Sequence, residues 1–173
     1  MIRRLVASAL SLALMASPAL AQTVVIVRHG EKTGPSGDVD LSAAGLARAQ
    51  ALAQSLAGAR LALVLATPLK RTQQTATPAA QAAGLPVVQV AFDGGDAAHA
   101  QRVADLARKA PADATVLIVG HSNTVAGIAA ALGDTAPKAP SDCDYDQMTV
   151  LTLNGAAPPR TVHARYGAAT AAC

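Results

Sequence analysis

The chain has 173 residues, 51% of them hydrophobic and 2% aromatic, with Phe92, Tyr145 and Tyr166 as the whole aromatic set. Its 14 Lys and Arg against 11 Asp and Glu give a formal charge of +3, but two of those cations, Arg3 and Arg4, sit in a leader-like segment; without them 12 basic residues face 11 acidic ones, a net +1. Scattered cations with so few rings exclude the basic stripe and stacking platform that nucleic-acid binding needs.

Residues 1–21 read as a signal peptide. Arg3-Arg4 is followed by an apolar segment from Leu5 to Met15 and by Pro18-Ala19-Leu20-Ala21, an A-x-A cleavage site. The expectation is an exported protein, periplasmic or secreted, by the general or the twin-arginine route. The apolar segment is short for a bilayer span and no later run approaches about 18 apolar residues, so no integral membrane segment is expected after cleavage. Residues 22–173 form one domain, with no linker, repeat or charge block to divide them.

The first element is the most informative. Val24-Val25-Ile26-Val27 reads as a strand buried on both faces, as in a parallel sheet, and it stops at Arg28-His29-Gly30-Glu31-Lys32. The polar residues thus lie at the carboxyl edge of the sheet, where open α/β folds bind ligands, and Gly30 would let a ligand approach the backbone. Fixed positive charge beside an imidazole suits a phosphorylated substrate. Taken alone, His29 is equally a hydrogen-bonded structural residue and Arg28 a solvated strand cap.

A helix follows over Ser42 to Leu56, with Ser42 as N-cap, then a strand over Leu61 to Leu65 and a helix over Leu69 to Ala83 carrying Arg71 in its first turn. Strand Pro86 to Ala91 leads into Asp93-Gly94-Gly95-Asp96 and a helix over Ala97 to Lys109. Strand Thr115 to Val119 ends in Gly120-His121-Ser122-Asn123, before a helix over Asn123 to Leu132. Two last strands, Met148 to Leu153 and Thr161 to Arg165, turn at Asn154-Gly155. The alternation predicts a three-layer α/β/α sandwich with a largely parallel central sheet. Three strand ends deliver two His and two Arg to one edge.

In order, Arg28-His29-Gly30, Leu41-Ser42 with Gly45 and Ala49, Thr67-Pro68-Leu69 with Arg71 and Thr75-Ala76, and Gly120-His121-Ser122 resemble the successive motifs of the histidine phosphatase superfamily, also called the phosphoglycerate mutase-like family. The resemblance implies that His29 takes the phosphoryl group while Arg28, Arg71 and His121 bind its oxygens, without metal or cofactor. It also implies a small phosphorylated substrate, with Ser122 and Tyr145 as further contacts. A loose phosphoryl-transfer transition state needs positioning and charge stabilisation, which two guanidiniums and an imidazolium supply.

The general acid is less legible. Family phosphatases place a carboxylic acid between the Arg-bearing helix and the second His motif; this interval contains no Glu and offers Asp93, Asp96, Asp105 and Asp113. Asp105 and Asp113 read as solvated. Asp93, with Asp96 beside it at a strand edge, is the favoured acid, although a Gly-Gly turn is an ordinary home for Asp. Glu31 is the other contender; its plain role is a salt bridge with Lys32 or Arg28.

Three other readings compete. Ser122 with Asp142 or Asp144 and His163 follows the chain order of a serine hydrolase, but Thr124 stands where the nucleophile elbow needs Gly. A non-catalytic phosphate-binding or regulatory module would keep the pocket without turnover. A phosphomutase would need an enclosed pocket, which family mutases build with insertions that this chain lacks. Cys143 and Cys173, the only cysteines, are expected to pair in an exported protein, closing a loop of about 30 residues worth about 3 to 4 kcal/mol. Asp142-Cys143-Asp144-Tyr145-Asp146 lacks the Gly and Glu of a calcium loop and reads as a structural loop near the pocket.

Overall fold

The computed structural model describes residues 21–155 and 157–170. The signal-peptide reading therefore falls outside the described residues except for Ala21, as does Cys173, one half of the expected disulfide; Cys143 is not a free thiol. Along the chain come β1 (Gln22–Arg28), α1 (Ala43–Ser55), β2 (Leu61–Ala66), α2 (Lys70–Ala82), β3 (Val88–Gln89), α3 (Gly95–Arg108), β4 (Thr115–Gly120), α4 (Val125–Ala131), β5 (Gln147–Asn154) and β6 (Ala157–Arg165). They form a six-stranded sheet in the order β3-β2-β4-β1-β5-β6. β1 to β4 run parallel, and the β5–β6 hairpin is added antiparallel at one side. The expected mixed α/β sandwich with a mostly parallel sheet is what the chain forms.

Side-chain alternation explains the layers. Successive strand residues face opposite sides of a sheet: Val24 and Ile26 join Val116, Ile118, Val103 and Ile128 on one face, while Val25 and Val27 join Leu117, Val119, Leu52 and Ala76 on the other. α3 and α4 thus cover one face, α1 and α2 the other. Each fully buried Leu, Ile or Val contributes about 1.5–3 kcal/mol. With few rings available, close approach is achieved by alanines: Ala76, Ala79 and Ala80 on α2, Ala100, Ala104 and Ala107 on α3.

Two strands differ from expectation, both at sheet edges. β3 is only Val88–Gln89, an edge strand paired with Leu65 and Ala66, and the Val90 N–H still reaches the Ala66 carbonyl at 2.8 Å. β6 starts at Ala157, four residues before the expected Thr161. Pro158 and Pro159 lie within it because an edge strand needs only one hydrogen-bonding side. Among the described residues no helix is long and apolar enough to cross a membrane.

Candidate active site

Strand register assembles the site. Arg28 lies opposite Gly120 across β1 and β4, and Ala66 opposite Val119 across β2 and β4. The next residue on each strand, His29, His121 and Thr67, therefore emerges at one point of the carboxyl edge. The His29 N–H continues the ladder onto the Gly120 carbonyl at 2.9 Å. The two imidazoles stand 5.3 Å apart, steeply inclined, and both are buried.

Each ring is held by a hydrogen bond. Nδ1 of His29 lies 2.8 Å from the Gly30 carbonyl, which can only accept, so Nδ1 carries the proton and Nε2 keeps its lone pair. Burial is the main cause that lowers the His29 pKa to about 4; the Gly30 bond opposes it, and the charges of Arg28, Arg71 and Lys32 add to it. Nε2 of His121 meets Thr67 Oγ1 at 3.0 Å, itself 2.8 Å from Thr72 Oγ1 at the start of α2. Burial, then the neighbouring His29, Arg71, His99 and Arg28, lower the His121 pKa to about 3. At neutral pH both rings are uncharged.

Arg28 is almost wholly buried and spends Nη1 on the carbonyls of Ser141 (2.8 Å) and Asp142 (2.9 Å), with Asp144 at 3.4 Å. Its guanidinium carbon sits 4.2 Å from the centre of the Tyr145 ring, a cation–π contact. Arg71 donates from Nη1 to the Gly37 carbonyl at 3.1 Å. In both, Nε is buried with no partner among the described residues, a donor that a bound anion could satisfy. Arg28, His29, Lys32, Arg71, His121, Ser122, Asn123, Asp142 and Tyr145 line an open cleft of about 620 Å³. Among the described residues no group of three or more His, Cys, Asp or Glu side chains converges as a metal site would require.

Gly30 has a different task from the one expected. A Cβ there would come within 3.0 Å of Gly45 Cα and O, and one on Gly45 within 2.2 Å of the Glu31 carbonyl oxygen. The pair lets the segment after β1 cross the first turn of α1, where Ser42 Oγ accepts from the Gly45 N–H. It packs backbone on backbone and does not open the pocket to a ligand.

Neither favoured acid reaches the cleft. Asp93 is exposed and ion-paired with Arg102 of α3, nine residues on. Glu31 turns away to the buried Arg48 of α1, with bonds of 2.6 to 3.1 Å; burial pushes its carboxyl up, but the Arg48 bonds and charge prevail and hold it below its ordinary value. It is a structural anion, and its partner is neither Lys32 nor Arg28. Asp96 accepts from Asn123 Nδ2 at 3.2 Å, which ties α3 to the cleft rim. Ser122 and Tyr145 line the cleft as expected, whereas Lys32, Asn123 and Asp142 are lining residues that the motif reading did not assign. The serine-hydrolase arrangement is not assembled: His163 is on β6, bonded to Thr149.

The comparisons agree with this geometry. Residues 24–91 match the histidine phosphatase superfamily (branch 1), a span that includes Arg28-His29-Gly30 and Arg71 and stops short of His121. An uncharacterized protein of Mycobacterium tuberculosis is 44% identical over 64 residues, covering 33% of this chain and 32% of that protein; the chain spans about a third of the length of the curated relatives it matches. Among solved structures, the protein histidine phosphatase SixA complexed with tungstate superposes with a TM-score of 0.64 at 20% identity, over 83% of this chain and 96% of that one. A mycobacterial glucosyl-3-phosphoglycerate phosphatase complexed with VO3 gives 0.61 at 20% identity, over 85% and 99%. In sequence over residues 24–91 the chain is similar to the histidine phosphatase superfamily, and over most of its length it shares the fold of these solved phosphatases.

Proposed function

We propose that the protein is a phosphatase that hydrolyses small phosphoryl compounds through a phosphohistidine on Nε2 of His29. The observation that carries this reading is the pairing of an uncharged, correctly tautomerised imidazole with two buried guanidinium N–H groups that have no protein partner. Nε2 attacks phosphorus; Arg28, Arg71 and His121 face the oxygens, where charge spreads in a loose transition state. Desolvation favours the uncharged rings only while the cleft is empty. A bound phosphoryl dianion beside His121 favours its protonated form, which adds a third cationic donor as charge develops.

Two relatives of this fold were solved with oxyanions, tungstate and VO3, whose charge and oxygen donors resemble those of a phosphoryl group. No metal enters the scheme, so activity should survive chelation. The same reading includes the finer expectations: export after cleavage near Ala21, and a disulfide between Cys143 and Cys173 that fastens the segment beside the cleft.

Acid hydrolyses a phosphohistidine and alkali preserves it, so rapid alkaline quench of turnover followed by peptide mapping tests the proposal. An acid-labile, alkali-stable phosphoryl group on the peptide containing His29, absent in His29→Ala, is the expected result. Phosphate binding with no label and no turnover on any phosphoester would favour the non-catalytic module instead.

A further inference from the structure

We propose that Asp142, on the segment between α4 and β5, is the catalytic proton donor to the leaving group; this rests on the phosphatase reading above. A neutral Nε2 can displace a leaving oxygen, but an alkoxide leaves poorly unless it is protonated as the P–O bond breaks. Some acid must therefore face the cleft. The two carboxylates at expected positions are occupied elsewhere, Asp93 with Arg102 and Glu31 with Arg48. Among the described residues lining the cleft, Asp142 is the one carboxylate.

Its placement is built. The Asp142 carbonyl accepts from Arg28 Nη1, so the backbone that carries the carboxylate is fastened to a phosphate-binding residue. Ser122, the residue after His121, donates from Oγ to Asp142 Oδ1 at 3.5 Å. The turn itself is closed by Asp144 Oδ2, which accepts from the Ser141 N–H and Oγ and from Gln147 Nε2. The side chain is exposed at the cleft mouth, whereas Lys32, another charged side chain there, is turned to the Pro35 carbonyl.

In the first step the His29 Nε2 lone pair forms the N–P bond, the P–O bond breaks, and the leaving oxygen takes the Asp142 proton. In the second, Asp142 takes a proton from water, whose oxygen attacks phosphorus; the N–P bond breaks and its electron pair returns to Nε2. The sum is one phosphoester and one water converted into an alcohol and phosphate.

The test compares wild type with Asp142→Asn on p-nitrophenyl phosphate and on glycerol phosphate, an alkyl ester. The variant should lose 100-fold or more in kcat/KM on the alkyl ester and less than fivefold on the aryl ester, whose phenolate needs no proton. It should also show a burst of p-nitrophenolate, because the second step has lost its base. Retained aryl kcat/KM demonstrates that the variant is folded. Equal losses on both esters, or no loss on either, overturn the role of Asp142 and leave the phosphatase reading intact. A wild type inert on both overturns the two together.

Discussion

The two ends of the cleft are made differently. At the phosphate end, His29, His121 and Thr67 follow directly from three paired parallel strands, and each is buried and hydrogen-bonded. At the mouth, Lys32, Asn123 and Asp142 come from irregular segments and lie half-buried or exposed. Arg28 joins the two, since it belongs to β1 yet holds the carbonyls of Ser141 and Asp142. The contrast teaches that the part of the cleft proposed to cradle a phosphoryl group is fixed by strand register. The mouth, where the proposed leaving group would pass, is made by residues whose position depends on a few side-chain contacts.

The sharpest break of that contrast is at Arg71. Its Nε is buried and free of protein partners while Nη1 is spent on Gly37, so its planar fork is held ready for oxygens. Arg71→Ala should lower kcat/KM by about 100- to 1000-fold, the scale for one transition-state donor. Arg71→Lys should not recover most of it, because a single ammonium cannot hold the loop carbonyl and the phosphoryl group together. A lysine variant near wild type would mean that only net charge matters at the phosphate end.

The difference between the ends also accounts for what could be read in the sequence. Arg28, His29 and His121 were legible in position because a buried apolar run followed by a polar residue locates that residue at the sheet edge, and Arg71 because it falls in the first turn of the helix after β2; their roles came from the family resemblance. Asp142 was named as a loop residue and as one possible acid of the serine-hydrolase reading, not as a proton donor to a phosphate ester. Nothing in its neighbourhood has a period, and its approach to the cleft depends on Arg28, 114 positions earlier. Glu31 was misread for a related reason. Its partner Arg48 is 17 residues away, and the two meet because Gly30 and Gly45 permit backbone contact between the β1 exit and α1. Asp93 pairs with Arg102 across one turn of chain that carries it away from the site. At the sheet margin, the last strand was expected to start at Thr161 and starts at Ala157, because the sequence does not reveal which strand is an edge that can hold Pro158 and Pro159.

Acidification sharpens the comparison through His29. Its pKa lies near 4 instead of 6.5, lowered chiefly by burial, so Nε2 stays available down to about that pH. The imidazole resonances of the free enzyme, followed by NMR, should therefore titrate near 4 for the ring that is lost in His29→Asn. The same shift links to stability. Between pH 6.5 and 4 the unfolded chain binds a proton at this position that the folded chain does not, so stability falls as pH falls through that window. His121, lowered to about 3, acts in the same direction. The urea midpoint should decline over this range and decline less steeply in His29→Asn. A ring titrating near 6.5 would show that the phosphate end is far wetter than its burial implies.

The smallest effect is expected at Asp93, and its smallness is informative. The carboxylate is exposed, and its ion pair with Arg102 is of the surface kind worth about 0–1 kcal/mol. Arg102 also donates to the carbonyls of Ala91 and Asp93 at 3.1 and 2.6 Å, so the turn before α3 keeps its anchor without the charge. Asp93→Asn retains a side-chain oxygen for the guanidinium and should move unfolding stability by no more than about 0.5 kcal/mol. Because the residue does not line the cleft, kcat/KM for aryl and alkyl phosphates should both stay within about twofold of wild type. A selective loss on the alkyl ester would return the proton donor to the β3–α3 turn and deprive Asp142 of its role, because one leaving oxygen needs one acid.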